Sequence, residues 1–263
     1  MKIFVESFTE RRRSLVFWFI GFLSFGVMMV GFFKSMGDTL SAYDQILENI
    51  PPAFQALVGE ISSLTTIEGY LTAELFNLML PMMFAILGIG LGATLISQEE
   101  SLGTLELLLA RPITRSRIFC EKALALVTQL ALMAVATWLG IIVTAAAINV
   151  DISAVNVFWA TLTLFILALD FSLFALAGSV IFSRGISIGV TTVLFIATYF
   201  LTTLAPLSNL LTKIEKLSPF YYYPAEKILT EGVDFVAIGV LIMPAIILYV
   251  VGESGFRLRD IGT

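Results

Sequence analysis

The sequence predicts an all-α polytopic membrane protein, one transmembrane domain with six spanning helices, and three observations lead to this prediction. The 263-residue chain is 58% hydrophobic, with a mean hydropathy of +0.96. Only 13% of its residues are charged, against about 25% in soluble domains, so an ordinary water-soluble enzyme is excluded. Six apolar stretches are long enough to cross a hydrocarbon core of about 30 Å as helices. These predicted spans are residues 15–33, 75–96, 123–148, 158–181, 186–207 and 235–251.

The first span follows a positive flank, Arg11–Arg13. Its apolar run is longer than the core of a cleaved signal peptide, and Phe32–Met36 contains no A-x-A cleavage site. We therefore expect a retained signal-anchor. Residues 1–13 have two interpretations: a cytoplasmic amphipathic helix that leads into the first span, or a charged N-terminal tail.

The basic residues set the predicted orientation. With the N-terminus inside, the inner segments hold eleven of the fifteen Lys and Arg residues. This asymmetry follows the positive-inside rule and predicts a multi-pass protein of the cell (plasma) membrane with both termini cytoplasmic. The overall net charge of −5 gives no support to a nucleic-acid partner. The four bases of the outer segments are Lys34, Lys213, Lys216 and Lys227.

The segments between the spans are uneven in length. Two outer segments, 34–74 and 208–234, are predicted to contain helical pieces before spans two and six. The cytoplasmic loop 97–117 contains a short helix whose leucines share one face; Pro112 ends it and Thr114 can cap the third span. Such an amphipathic helix either lies in the lipid interface or docks into a groove of a soluble partner.

The inner-loop string E-E-x-x-G-T-L-E-L-L-L-A-R-P-I-T-R-x-R, which begins at Glu99, resembles the ABC transporter type-2 membrane permease family. Two further stretches agree with it: the approach to span two, which includes Thr66–Tyr70, Glu74 and Pro81, and Ser218–Pro224 before span six. The resemblance implies six spans with inner termini. It also implies that the chain is the transmembrane subunit of an ATP-driven exporter.

The resemblance further implies partners. The permease would pair with a second permease subunit, identical or related, within the lipid membrane. The pair would sit on two copies of a cytoplasmic ABC ATPase subunit, which would bind ATP and Mg. The inner-loop helix would be the coupling helix that contacts this ATPase. Carried onto this chain, the coupling residues are Glu99, Glu100, Gly103, Thr104, Glu106, Arg111, Pro112 and Arg115.

The chain itself lacks the residues that several kinds of catalysis need. It has no histidine and one cysteine, Cys120, which excludes His-metal sites, Ser-His-Asp triads and Cys-His dyads. It also has no G-x-x-x-x-G-K-S/T phosphate loop. We therefore expect no catalytic residue and no metal site here. ATP hydrolysis, if the resemblance holds, belongs to another polypeptide.

Polar groups within the spans are candidates for a transport pathway. Asp170 is the sole acid well inside a span, and it is either a pathway or ion-coupling site or a structural carboxyl bonded across helices. The hydroxyls of span five fall within a 60° sector, which fits either a pathway lining or inter-helix hydrogen bonds. These hydroxyl residues are Ser187, Thr191, Thr198 and Thr202.

Two other patterns allow alternative interpretations. Tyr221, Tyr222 and Tyr223 fit an outer aromatic belt or an outer gate. The pairs Gly88/Gly92 and Gly185/Gly189 permit close helix approach, either within one subunit or at a dimer seam.

Two alternative functions remain open beside the ABC permease. The chain is an ion-coupled secondary transporter if Asp170 and the span-five hydroxyls bind the coupling ion. It is a non-transporting membrane assembly factor if it carries no substrate. An intramembrane aspartyl enzyme is nearly excluded because it needs two acids within the spans.

Overall fold

The computed structural model describes residues 2–36, 64, 66–101, 103 and 113–258, and every regular element within these ranges is helical. Six helices are long and apolar enough to cross a membrane, which confirms the predicted fold class. Helices suit lipid because each backbone polar group is satisfied within its own segment. In chain order the helices are α1 (Lys2–Met36), α2 (Ile67–Leu71), α3 (Met79–Thr94), α4 (Ser97–Ser101), α5 (Arg115–Ile148), α6 (Ala154–Ile181), α7 (Arg184–Thr203), α8 (Asn209–Ile214), α9 (Ala225–Glu231) and α10 (Phe235–Leu258).

Helices α1 and α5 are the longest, with 35 and 34 residues. At 1.5 Å per residue each is about 50 Å long, well beyond the hydrocarbon core. Residues 2–13 are the first turns of α1 and continue into the span without a break. Thr114 caps α5 as predicted, since its hydroxyl accepts from the Arg117 N–H at 3.4 Å.

The helices α1 and α5 pack side by side and run in the same direction. Near their beginnings, the backbone of Ile3 contacts the Glu121 side chain. Further along, Gly140 lies so close to the backbone of Leu23 that a Cβ at position 140 would collide with the Leu23 carbonyl. The two helices therefore stay together from the end where both begin, called the inner end below, toward the opposite, outer end.

Helix α6 is the centre of a second group and packs against α3, α7 and α10. Gly88 and Gly92 of α3 lie against Ser172 of α6, where an added Cβ would collide with the Ser172 hydroxyl and carbonyl respectively. This contact confirms close approach within the chain for the first glycine pair. The second pair, Gly185/Gly189, has nothing within 4 Å of an added Cβ.

The second and fifth spans differ from their predicted bounds. A π-helical turn at Thr72–Phe76 separates α2 from α3, so the second span is an interrupted helix. Helix α7 ends at Thr203 instead of continuing to residue 207, and a 3-10 turn, Ala205–Leu207, follows it. The cause is Pro206, which has no N–H to continue the helical hydrogen bonds and disfavours helical geometry in the residue before it.

The sixth span also differs, because α10 continues beyond Val251 to Leu258 and contains Pro244 inside the helix. A proline removes one backbone hydrogen bond. Membrane helices tolerate this where neighbouring helices cover the freed groups. Ala245, which follows the proline, is 7% exposed, so the rest of the bundle covers α10 at this point.

At the outer end, a short connection with capped helix termini joins α5 to α6, and a hydrogen bond joins α9 to α6. Asn149 ends α5 in the left-handed region with φ of 55°, a common conformation at helix ends. Ser153 then caps α6 by accepting from the Asn156 N–H at 3.3 Å. The Asn156 amide donates to the Leu229 carbonyl at 2.9 Å and so attaches α9 to the start of α6.

The α3–α6 contact gives a stability prediction. We expect Gly92→Ala to lower the stability of the detergent-solubilised protein by about 1–3 kcal/mol, because the new methyl group must displace the α6 backbone. The matched control is Gly90→Ala, on the same helix with open space around it. Thermal unfolding measures both variants. Equal shifts for the two would contradict the close packing.

Candidate functional site

A buried ion pair joins α4 to α5 at the inner end. The Lys122 ammonium lies 2.9 Å from a Glu99 carboxylate oxygen. The Lys122 side chain is 3% exposed and that of Glu99 is 23% exposed. A buried ammonium is costly unless it is paired, so the position of Glu99, and with it α4, is tied to the start of α5.

A second contact joins α4 to α1. One Arg11 guanidinium nitrogen donates to the Thr94 hydroxyl and to the Gln98 side-chain carbonyl, both at 2.8 Å. Thr94 is the last residue of α3, and Gln98 belongs to α4. The guanidinium therefore bridges α1 to both sides of the α3–α4 junction.

A third contact joins the beginnings of α1 and α5. A Glu121 carboxylate oxygen accepts from the N–H groups of Ile3 and Phe4 at 3.1 and 3.3 Å. These N–H groups lie in the first turn of α1, where a helix has no backbone acceptor of its own and favours a negative charge. The other carboxylate oxygen of Glu121 accepts from the Arg117 guanidinium at 3.1 Å, as the i, i+4 spacing predicts.

The side chains of these three contacts lie at the same end of the bundle, and we call them the inner polar cluster: Arg11, Gln98, Glu99, Glu121 and Lys122. It holds α4 between the long helices α1 and α5. Arg115, one turn before the cluster, donates to the Arg257 carbonyl of α10 at 3.4 Å. Helix α4 therefore has a polar contact with each of the long helices α1 and α5.

Asp170 lies deep in the helical bundle and is 5% exposed. Neither carboxylate oxygen has a side-chain hydrogen-bond partner in the part of the chain that the structure describes. Seven residues later on the same face, Ala177 contacts Gly252 of α10, and the backbone of Ala245 faces the Asp170 carboxylate. The carboxylate therefore approaches a backbone N–H of α10 and has no side-chain partner among the described residues.

The hydroxyls of the fifth span are engaged with backbone carbonyls. Ser187, in α7, donates to Ala175 of α6 at 2.6 Å, in the close approach that Gly178 permits. The other three donate within α7: Thr191 to Ser187, Thr198 to Leu194 and Thr202 to Thr198. Ser187 and Thr191 are buried, whereas Thr198 and Thr202 are half-buried. In this conformation the hydroxyls are bonded to helix backbones. Thr198 and Thr202, nearer the outer end, are the more accessible of the four.

The three tyrosines do not share one environment. Tyr223 is buried, and its hydroxyl donates to the Phe76 carbonyl at 3.3 Å, which joins the outer segment to the π-helical turn before α3. Burial raises the pKa of Tyr223 well above its ordinary value. Tyr221 is 37% exposed and Tyr222 is half-buried, so these two remain accessible at the outer end.

The model of the family described as "ABC-2 family transporter protein" matches residues 1–260. The chain belongs to the ABC-2 transporter family. It is a multi-pass membrane permease subunit of an ABC transporter, and membership implies association with an ABC ATPase subunit, since in this family the membrane subunit is not itself the ATPase. No curated protein matches the chain.

For an ABC-2 permease, the inner loop is the segment of interest, and the structure describes part of it. Glu99 and Glu100 lie on α4, Arg115 begins α5, and Gly103 adopts a left-handed φ of 68° that favours glycine. The remaining predicted coupling residues, Thr104, Glu106, Arg111 and Pro112, lie outside the described residues, as do all the leucines of the predicted amphipathic face. Among the described residues no acidic, His or Cys cluster could hold a metal ion.

Sequence analysis missed most of the inner polar cluster. A lysine is unusual at the start of an apolar span. Lys122 was therefore the one residue whose position in the sequence could have indicated a buried ion pair. Arg11 was counted only as part of a positive flank. Its bridge to Thr94 and Gln98 depends on the packing of three helices, and sequence spacing carries no signal for it.

A double-mutant cycle tests the Lys122–Glu99 pair. We expect Glu99→Gln to destabilise strongly, by about 3 kcal/mol, because it leaves a buried ammonium unpaired. The loss of stability in the double variant Glu99→Gln/Lys122→Met should be smaller than the sum of the losses in the two single variants. We expect this difference to be about 1–3 kcal/mol. Unfolding in denaturing detergent measures each variant.

The control for this cycle is Arg117→Met. The Arg117 side chain is 64% exposed, and an exposed i, i+4 pair contributes about 0.3–0.5 kcal/mol. Additive effects of Glu99→Gln and Lys122→Met would show that the two side chains do not interact.

Proposed function

We propose that this permease subunit exports its substrate with energy from ATP hydrolysed by a separate cytoplasmic ATPase. The observation that carries the proposal is the inner polar cluster: it attaches α4, the first helix of the inner loop, to both α1 and α5. An ATPase that pushes on the inner loop would therefore act on two helices that are about 50 Å long. Export is supported by the family resemblance of the inner loop.

The complete transporter, in this proposal, contains two permease subunits, identical or related, and two copies of the ATPase. ATP and Mg bind to the ATPase copies. The inner end of the bundle faces the cytoplasm of the cell, because the basic residues concentrate there. Both termini are then cytoplasmic, and the protein lies in the plasma membrane.

The proposed coupling step begins when the ATPase pair closes and displaces α4. Arg11 and Lys122 transmit the displacement to α1 and α5. These two helices pack as one unit through Gly140, whereas α3, α6 and α10 form the other group. Movement of the first group against the second changes the side on which the pathway opens.

Asp170 is the best candidate for a polar group of the pathway. It lies on the face of α6 that meets α10, next to the backbone that follows Pro244. Its lack of a side-chain partner among the described residues favours a pathway role over a structural one. The same observation supports the second candidate function, an ion-coupled secondary transporter, in which Asp170 binds the coupling ion without an ATPase.

Co-purification tests the ATPase partner. We expect the chain, expressed with its chromosomal neighbours and isolated in detergent, to retain an ATPase in stoichiometric amount. Glu100→Lys should weaken this association roughly tenfold, the effect of about 1.4 kcal/mol, because Glu100 is exposed on α4. Reversing the charge at Arg111 should also weaken the association with the ATPase.

Asp151→Lys is the matched control for Glu100→Lys. Asp151 is exposed at the outer end, so the same change in charge should leave the ATPase bound. Glu99→Lys is a poorer test, because it also breaks the pair with Lys122. Transport driven by an ion gradient in purified protein without any ATPase would contradict the proposed function.

Asp170→Asn tests the pathway role. The substitution keeps the shape of the side chain and removes its ionisable group. We expect transport in reconstituted vesicles to fall roughly tenfold, with assembly unchanged by size-exclusion chromatography. Thr163→Val is the control, since Thr163 lies seven residues earlier on the same face of α6 and donates only to Trp159. Unchanged transport in Asp170→Asn would leave the carboxyl without a pathway role.

A further inference from the structure

A groove of about 440 Å³ runs along the outside of the α1–α5 pair and opens toward the surroundings of the bundle. Most of its wall is apolar. The α1 side is formed by Phe8, Leu15, Val16 and Phe19, and the α5 side by Leu132 and Met133. The volume lies within the range of about 300–1,000 Å³ that is typical of small-ligand sites.

One end of the groove is polar and basic. Thr9 and Arg12 complete its lining, and both side chains are exposed. Arg12 has no ion pair with any acid in the described part of the chain. The nearby acids of α1, Glu6 and Glu10, do not line the groove. The guanidinium therefore offers its donors to an anion from outside the chain.

The position of the groove along α1 matches the boundary between headgroups and hydrocarbon. The charged first turns of α1 end at Arg13, and the apolar run begins at Leu15. From Arg12 to Phe19 the helix rises about 10 Å. The basic end of the groove therefore lies at headgroup level, and its apolar walls continue into the acyl-chain region.

We propose that this groove binds one anionic phospholipid. The phosphate bonds to the Arg12 guanidinium beside Thr9. An acyl chain lies along Leu15, Val16 and Phe19 and contacts Leu132 and Met133 of α5. Charge complementarity selects this occupant, since the net negative headgroup of an anionic lipid is attracted to Arg12. The phosphate of phosphatidylcholine is balanced by its own choline cation, and an apolar helix offers no charge at the mouth of the groove.

The proposal goes beyond a general attraction of basic residues to anionic membranes. A diffuse attraction depends on the number of charges near the surface, so Arg12 and Arg13 would contribute equally. A site in the groove depends on Arg12 alone, because Arg13 is exposed but does not line it. Comparing variants of the two neighbouring arginines therefore distinguishes binding in the groove from general attraction to a charged surface.

The experiment uses the full chain, delipidated in detergent and titrated with phosphatidylglycerol or phosphatidylcholine, and counts bound lipids by native mass spectrometry. We expect one phosphatidylglycerol per chain at concentrations where phosphatidylcholine is not retained. Arg12→Gln should weaken this binding about fivefold. Arg13→Gln, with the same change in charge, should leave it within error.

A second pair of variants tests the apolar walls. Val16→Trp fills the groove, and the chain should tolerate it because Val16 is 57% exposed. Val27→Trp is its control, on the same helix and 39% exposed but outside the groove. We expect Val16→Trp to abolish retention of the phosphatidylglycerol and Val27→Trp to preserve it.

Three results would overturn the proposal. Equal losses for Arg12→Gln and Arg13→Gln would assign the binding to diffuse attraction. Equal retention of phosphatidylcholine would remove the role of the anion. A change in oligomeric state with Val16→Trp, without loss of lipid, would assign the groove to a second copy of the chain. None of these outcomes depends on transport, so they leave the proposed function untouched.

Discussion

The absence of water in the bilayer core is the constraint on which the rest of this structure depends. Backbone groups there must bond within their own helix, and a core of about 30 Å needs about 20 residues to cross. Helices α1 and α5 exceed this length by more than a dozen residues each. Their apolar runs begin at Leu15 and Ala123, so the excess lies mainly at the inner end. The polar side chains that a bilayer excludes are thus collected at one end, where Glu121, Glu99 and Arg11 connect three helices.

Within the bundle, close packing replaces the hydrophobic effect as the source of helix association, because lipid tails are as apolar as the side chains. Glycines mark the closest contacts: Gly92 against Ser172, Gly140 against Leu23 and Gly252 against Ala177. Each contact joins helices that run in the same direction. These contacts hold together the α1–α5 pair and the α3–α6–α10 group, and α5 also packs directly against α6. Gly252 also contacts Phe119 of α5, so it lies where the two groups meet.

The sequence was sufficient for the fold class and for features that depend on neighbours along the chain. The six apolar runs and the Thr114 cap are local, and both are confirmed. The Arg117–Glu121 pair is local too, since its residues are four positions apart on one helix. Contacts between distant segments were not predictable in the same way. The Tyr223–Phe76 hydrogen bond joins residues 147 positions apart, and the end of α7 depends on Pro206, whose effect within an apolar run was underestimated. The coupling loop was found through a family resemblance, whereas Arg11, at the centre of the contacts that hold α4, has no motif.

The distribution of charge pairing at the inner end indicates how force can pass through the protein. Lys122 is buried and paired, so separating it from Glu99 would leave an ammonium without a partner at a cost of several kcal/mol. Arg117, by contrast, is largely exposed, and its pair with Glu121 contributes little. A displaced α4 therefore carries α5 with it before the Lys122–Glu99 pair breaks, while the exposed pair can rearrange in water. In the proposed coupling step the movement reaches α5 through its buried contact and must then cross the junction at Gly252. There Phe119 of α5 and Ala177 of α6 contact the same glycine. The rings of Tyr249 and Phe256 of α10 also pack against Phe119, so a shift of one helix group against the other must change aromatic contacts as well as the glycine contact.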